Sequence, residues 1–224
     1  MSEFAWPIGL MPYRVSFYLQ PHVGGAESPL TRVRKVYELS APRWIARLTF
    51  RGGYDGAPRL FDAGGYGSLL DSLIADLRGG AVLTRFHDFR RPYPTGALPI
   101  RSRLTVRAAP AGATSMTVDG FAPNAAALSL GDYVGGDGRP HLTSMARTIA
   151  AGGRIAGAGS IMADGSGTAI IGFNPPLSAP INGGLPLAWP VTGLFELTGE
   201  DAGQNETEVG SPTEYTLDFV EHLQ

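Results

Sequence analysis

Strong side-chain alternation at both ends of the chain limits the fold more than any other feature. Residues 13–20, YRVSFYLQ, place Tyr13, Val15, Phe17 and Leu19 on one side and Arg14, Ser16, Tyr18 and Gln20 on the other. The closing TEYTLDFVEHL alternates Tyr215, Leu217, Phe219 and Glu221 with Thr216, Asp218 and Val220. A period of two reads as a half-buried strand. Between these ends the texture differs, with small residues and frequent Gly, Pro and Asn turns. A chain that starts and finishes in one kind of sheet, with another texture between, predicts one domain interrupted by another. The last strand is expected to pair back into the first sheet, bringing the ends together.

The stretch Ser28–Phe50, SPLTRVRKVYELSAPRWIARLTF, reads as two extended runs, Arg32–Leu39 and Arg43–Phe50, hinged at Ser40–Ala41–Pro42. The two runs are expected to pair with each other about the Pro42 turn. Pro21 and Gly24–Gly25 are expected to end the strand before them. One helix is predicted over Leu69–Arg78. Ser68 is its expected N-cap with Asp71 in a capping box, and Gly79 its left-handed stop. Leu69, Leu70, Leu73, Ile74 and Leu77 form its apolar stripe. Ala81–Phe89 reads as a strand. Beyond about residue 101, RLTVRA, TSMTVDGF, DYVGG, HLTSMARTIA and TAIIGF are short strand candidates about a dozen residues apart, the spacing of a compact antiparallel barrel or sandwich. The 31 Gly and 18 Pro residues favour short strands and turns over long helices. The predicted division is 1–95 and 188–224 for the outer domain and 96–187 for the insert.

No reaction is spelled out. The absence of cysteine excludes disulfides and thiolate chemistry. The four histidines, His22, His87, His141 and His222, sit in separate segments without zinc spacing. Gly64–Gly65–Tyr66–Gly67 lacks both the GxGxxG and the Walker pattern. Asp132, Asp137 and Asp164 lie in turns without an EF-hand spacing. No catalytic, cofactor or metal site is therefore expected. The start, MSEFAWPIGL, does not read as a signal peptide, and the apolar runs are too short to span a bilayer. Of 18 basic residues, only Arg139, Arg147 and Arg154 follow Arg107, while the last thirty residues carry acids and no Lys or Arg. Lys35 is the single lysine, and arginine suits planar interface contacts with carboxylates. The arginines of the opening strands lack a nucleic-acid signature around them.

Several segments together, FAWP…PYRVSFYLQP, SPLTRVRKVYELSAPRWIARLTF, GGAVLTRFHDFRRPYPTG, LSLGDYVGG, FNPPL and TEYTLDFVEHL, resemble the distal tail protein family of long-tailed (siphovirus-type) bacteriophages. The link RGGYDGAPRLFDAGGYG and the short helix depart from that family's pattern. The resemblance implies a mainly-β fold, in which a β-sandwich belt domain with one amphipathic helix is interrupted by a small antiparallel, OB-like β-barrel. It implies a structural virion protein made in the host cytoplasm and built into the tail tip. Copies, six in most such proteins, would form a ring between the tail tube protein above and the hub and tail-fibre proteins below. Ring closure needs two different faces of each subunit to meet. Tyr18, Tyr37, Arg43, Trp44 and Arg47 are the expected contacts, with Trp44 and Tyr37 as plain core the competing reading. Glu200, Asp201, Glu206 and Glu208 are expected to line the lumen and repel passing DNA over a Debye length of roughly 8–10 Å. The alternative function is a carbohydrate- or receptor-binding β module with Tyr133, His141 and Phe173 lining a groove. A tail-tip hydrolase ranks third, for want of converging carboxylates.

Overall fold

The last strand does pair back into the first sheet. A computed structural model describes residues 2–52, 66–95, 104–157, 159–199 and 213–223. In chain order the strands begin with β1 (Glu3–Ala5), β2 (Arg14–Glu27) and β3 (Arg34–Gly52). Helix α1 (Gly67–Leu77) and β4 (Leu83–His87) follow. The middle carries β5 (Thr105–Val106), β6 (Ser115–Asp119), β7 (Ala126–Ser129), β8 (Tyr133–Val134) and β9 (His141–Thr143). After helix α2 (Met145–Ala150) come β10 (Arg154–Ala156), β11 (Ser160–Met162), β12 (Thr168–Asn174) and β13 (Leu185–Pro186). The last two are β14 (Thr192–Thr198) and β15 (Thr213–Glu221). The protein is mainly β, and the chain divides into two compact units, Met1–Phe89 with Leu194–Leu223 and Arg90–Gly193. The insert thus starts a little earlier and ends a little later than the change of texture suggests.

The described strands of the outer unit form one six-stranded sheet in the order β1-β4-β14-β15-β3-β2. β15 runs antiparallel to β3 with Tyr215 opposite Phe50, Leu217 opposite Leu48 and Phe219 opposite Ala46. Alternation then puts Phe17, Trp44, Leu48, Phe50, Phe195 and Phe219 on one buried face. That face is concave. Phe17 on β2 and Phe195 on β14 are three strand spacings apart, about 14 Å on a flat sheet, yet their ring centroids lie 5.8 Å apart. Trp6 fills the hollow against Phe50, Phe86, Phe89 and Phe219, and its indole N–H donates to the Leu10 carbonyl at 2.8 Å. Trp6 and α1 stand where the second sheet of a sandwich would be expected.

Of its expected stripe, helix α1 buries Leu70, Leu73 and Leu77, half-buries Ile74 and leaves Leu69 exposed. Each buried leucine contributes roughly 1.5–3 kcal/mol. Its cap differs from expectation. Tyr66, not Ser68, precedes the helix, and no side chain caps it. Asp71 instead accepts from the Tyr215 hydroxyl at 2.9 Å, tying the helix to β15. The left-handed stop begins one residue early, at Arg78 (φ 48°), and continues through Gly79.

The inserted unit is antiparallel in all its described pairings and has two sheets, β10-β11-β7 and β13-β5-β6-β12-β9-β8. One core, including Val118, Phe121, Leu128, Ile161, Ile171 and Phe173, lies within it. HLTSMARTIA is not one strand. Ser144 accepts from the Arg147 amide and starts α2. That helix lies so close to β12 that a Cβ on Gly172 would sit 2.0 Å from the Thr148 nitrogen.

Candidate subunit-contact surface

Strands β2 and β3 are 14 and 19 residues long and pair along nearly their whole length. The expected turn at Ser40–Ala41–Pro42 is absent. Arg32–Leu39 and Arg43–Phe50 do not fold onto each other; from Arg34 onward they form one strand, and their partner is β2. The reason lies in the register. Gln20 faces Arg43, His22 faces Ser40 and Val23 faces Glu38, so β3 carries extra residues in bulges on both sides of Ser40. A bulge accommodates Pro42, which has no N–H for a ladder. Pro21 likewise sits at the irregular step and does not end β2. The actual turn is Ser28–Val33, where Arg32 N–H donates to Ser28 O at 2.9 Å, Ser28 N–H to Val33 O at 3.1 Å, and Arg32 is left-handed at φ 53°.

The hairpin has a base and an arm. At the base the buried face of β3 contributes Trp44, Ala46, Leu48 and Phe50 to the core. Beyond Trp44 the arm has no covering layer among the described residues. His22 to Glu27 and Arg34 to Ala41 are exposed, apart from half-buried Gly24. Leu30 (94 % exposed), Val33, Val36, Tyr37 and Leu39 (each above half) all face solvent. Alternation places Val36 on one face and Tyr37 and Leu39 on the other. An isolated two-stranded ribbon is marginal in water, and apolar side chains on both of its faces call for a partner on each. The arm holds itself together across its strands. A Cβ on Gly24 would sit 2.7 Å from the Tyr37 ring and one on Gly25 3.2 Å from Arg34 Nε, so both glycines leave room for side chains of β3. His22 Nδ1 lies 2.7 Å from Ser40 Oγ.

The five expected contact residues divide. Tyr18 and Tyr37 are about half exposed, and Arg43 is exposed. Trp44 is 2 % exposed and stacks on Phe17 with ring centroids 5.0 Å apart, so it belongs to the core. Arg47 is exposed but engaged within the chain. Its Nε and Nη2 donate to the two Asp218 oxygens at 2.6 and 3.0 Å, which raises the guanidinium pKa further. The sheet's outward face also carries Tyr13, whose hydroxyl donates to Glu214 and whose ring lies beneath the Arg51 and Arg14 guanidinium groups. That hydrogen bond raises the Tyr13 pKa. β2 is the sheet's outer strand, pairing on one side only among the described residues. Glu200, Asp201, Glu206 and Glu208 lie outside the described residues.

The groove expected of the alternative reading does not form from its named residues. Tyr133, His141 and Phe173 are 5 %, 0 % and 0 % exposed. No described group of three or more His, Cys, Asp or Glu side chains is placed to hold a metal, and no described helix is long and apolar enough to cross a membrane. Sequence reasoning did not single out the exposed apolar residues Leu30, Val33, Val36 and Leu39, nor Ile8, whose side chain stands wholly in solvent. Their signal was apolar residues at both parities of Val33–Leu39, with Val36 on one face and Val33, Tyr37 and Leu39 on the other. No family model matches this sequence, and no curated protein matches it.

Proposed function

We propose that this chain is a structural virion protein of a phage tail tip, assembling through its β2–β3 arm into a ring that joins the tail tube to the hub and fibre proteins. The observation that carries the proposal is the arm itself. Exposed apolar side chains stand on both of its faces, Val36 between Arg34 and Glu38 on one and Tyr37 and Leu39 on the other, and no described layer of its own chain covers them. Two different surfaces of a neighbouring copy, one for the arm and one for the unpaired edge of β2, give the heterologous contact that a closed ring needs. Tyr18, Tyr37 and Arg43 serve that contact, while Arg47 orders the face beside them through Asp218. Six copies follow from the family resemblance, as does a lumen through which DNA passes without specific binding. The acids Glu200, Asp201, Glu206 and Glu208 act there by repulsion. Sedimentation velocity of the purified chain tests the reading. A discrete species of several copies is expected, and a monomer at every concentration overturns it.

A further inference from the structure

The outward face of the six-stranded sheet in the inserted unit holds a groove of about 340 Å³ between Arg107, Thr117, Arg154, Met162, Asp164 and Ile170. Thr117 pairs with Ile170 across β6 and β12, and Asp119 pairs with Thr168. Alternation turns these four away from the core that Met116, Val118, Ala169 and Ile171 enter. The second wall is the Gly152–Gly153–Arg154 step into β10. A Cβ on Gly153 would lie 2.5 Å from the Ile170 carbonyl oxygen, so only glycine lets this wall meet the floor.

The rim is fixed before any ligand arrives. Arg107 donates through Nε and Nη2 to both Asp119 oxygens at 2.8 Å. Asp119 Oδ1 accepts from Thr168 Oγ1 at 2.6 Å, and that hydroxyl lies 3.0 Å from Ser166 Oγ. Ser166 and Thr168 in turn donate three hydrogen bonds to one oxygen of Asp164, at 2.6 to 3.0 Å. These contacts leave three groups uncommitted: Asp164 Oδ2, Arg107 Nη1 and the whole guanidinium of Arg154, which has no partner among the described residues. Arg107 and Asp119 cancel in charge, so Arg154 is the cation left to recognise an anion. Asp164 disfavours a compact multivalent anion such as phosphate, but its free oxygen accepts hydroxyl protons. Met162 and Ile170 give the floor an apolar strip.

We propose that this groove binds an acidic saccharide. The sugar carboxylate would lie against the Arg154 guanidinium in a bidentate pair, with its hydroxyls on Asp164 Oδ2 and Arg107 Nη1 and a sugar face over Met162 and Ile170. The volume is at the lower end for small-molecule sites, roughly 300–1,000 Å³, and suits one or two sugar residues. The inference stands whether or not copies form a ring.

The test is an NMR titration of the full chain with cellobiuronic acid, with cellobiose, and with acetate. The acid disaccharide is expected to give saturable shifts at Gly152–Arg154, Met162 and Asp164–Thr168, with a Kd of about 1 mM. Cellobiose is expected to bind about tenfold more weakly, as is the acid on Arg154→Gln, corresponding to about 1.4 kcal/mol. Asp164→Asn should weaken the acid and neutral sugars alike. Arg154 has no partner to lose among the described residues, so an unchanged spectrum elsewhere shows that its variant is folded. Four results would overturn the proposal: no saturable shift, shifts away from the groove, equal binding of both disaccharides, or acetate binding as tightly as the acid sugar.

Discussion

Replacing Asp137 with asparagine is expected to destabilise the inserted unit by about 3 kcal/mol. The Asp137 carboxylate is a buried hub. His141 Nε2 donates to its Oδ1 at 2.7 Å, and the Ser178 amide and hydroxyl donate to its Oδ2 at 2.7 and 2.9 Å. The other imidazole nitrogen lies 2.7 Å from the Pro175 carbonyl oxygen, so both ring nitrogens face acceptors. Burial by itself would raise the Asp137 pKa. The hydrogen bond and charge of His141, with the two Ser178 contacts, outweigh it and bring the value from 3.8 to about 2. At about 1.4 kcal/mol per pH unit, that lowering corresponds to about 2 kcal/mol of stability. Asparagine loses the charge and turns an NH2 toward a donor, which adds on the order of 1 kcal/mol.

The pH dependence separates this account from simple loss of packing. A carboxyl lowered in the folded state contributes fully above its ordinary value, and the contribution fades as pH falls toward the folded value. The wild type should therefore lose about 2 kcal/mol between about pH 5 and pH 2 that Asp137→Asn never had. Urea unfolding read by hydrogen exchange of peptides from residues 90–193 measures both quantities. A variant within about 0.5 kcal/mol of wild type would refute the reasoning, and so would the same acid limb in both proteins.

Further outcomes follow from single contacts. Gly172→Ala pushes a methyl to within 2.0 Å of the Thr148 nitrogen and should cost roughly 3 kcal/mol as α2 leaves β12, read in the same unfolding experiment. Arg47→Ala removes an exposed ion pair and should leave the melting temperature within about 2 °C by calorimetry. Val36→Ser with Tyr37→Ser removes exposed apolar surface from both arm faces. It should leave the fold's circular dichroism unchanged while shifting the assembly toward monomer in sedimentation.

What was legible in the sequence was whatever one strand or helix decides locally. The alternations of 13–20 and 213–223 located the buried face of the outer unit, and the leucine stripe located α1. What was not legible depended on a partner. Pro42 reads as a turn because proline interrupts a ladder. Only the register with β2 shows that a bulge absorbs it and β3 continues. The segment Ser144–Ala150 has the β-branched and small residues of a short strand, and its helix needs the bare backbone of Gly172 as a seat. Asp71 sits at a capping spacing but is claimed by Tyr215, distant in sequence. The exposure of the candidate contact residues was half legible. Tyr18, Tyr37 and Arg43 are exposed as expected, whereas Trp44 could be placed in the core only after the concave face was known.

The most direct measurement is electron microscopy of the purified chain, viewed end-on. The account predicts closed, hollow rings of one size, lost in the arm variant while its fold persists. Single compact particles in the wild type, under conditions where the chain is folded, would contradict the central claim.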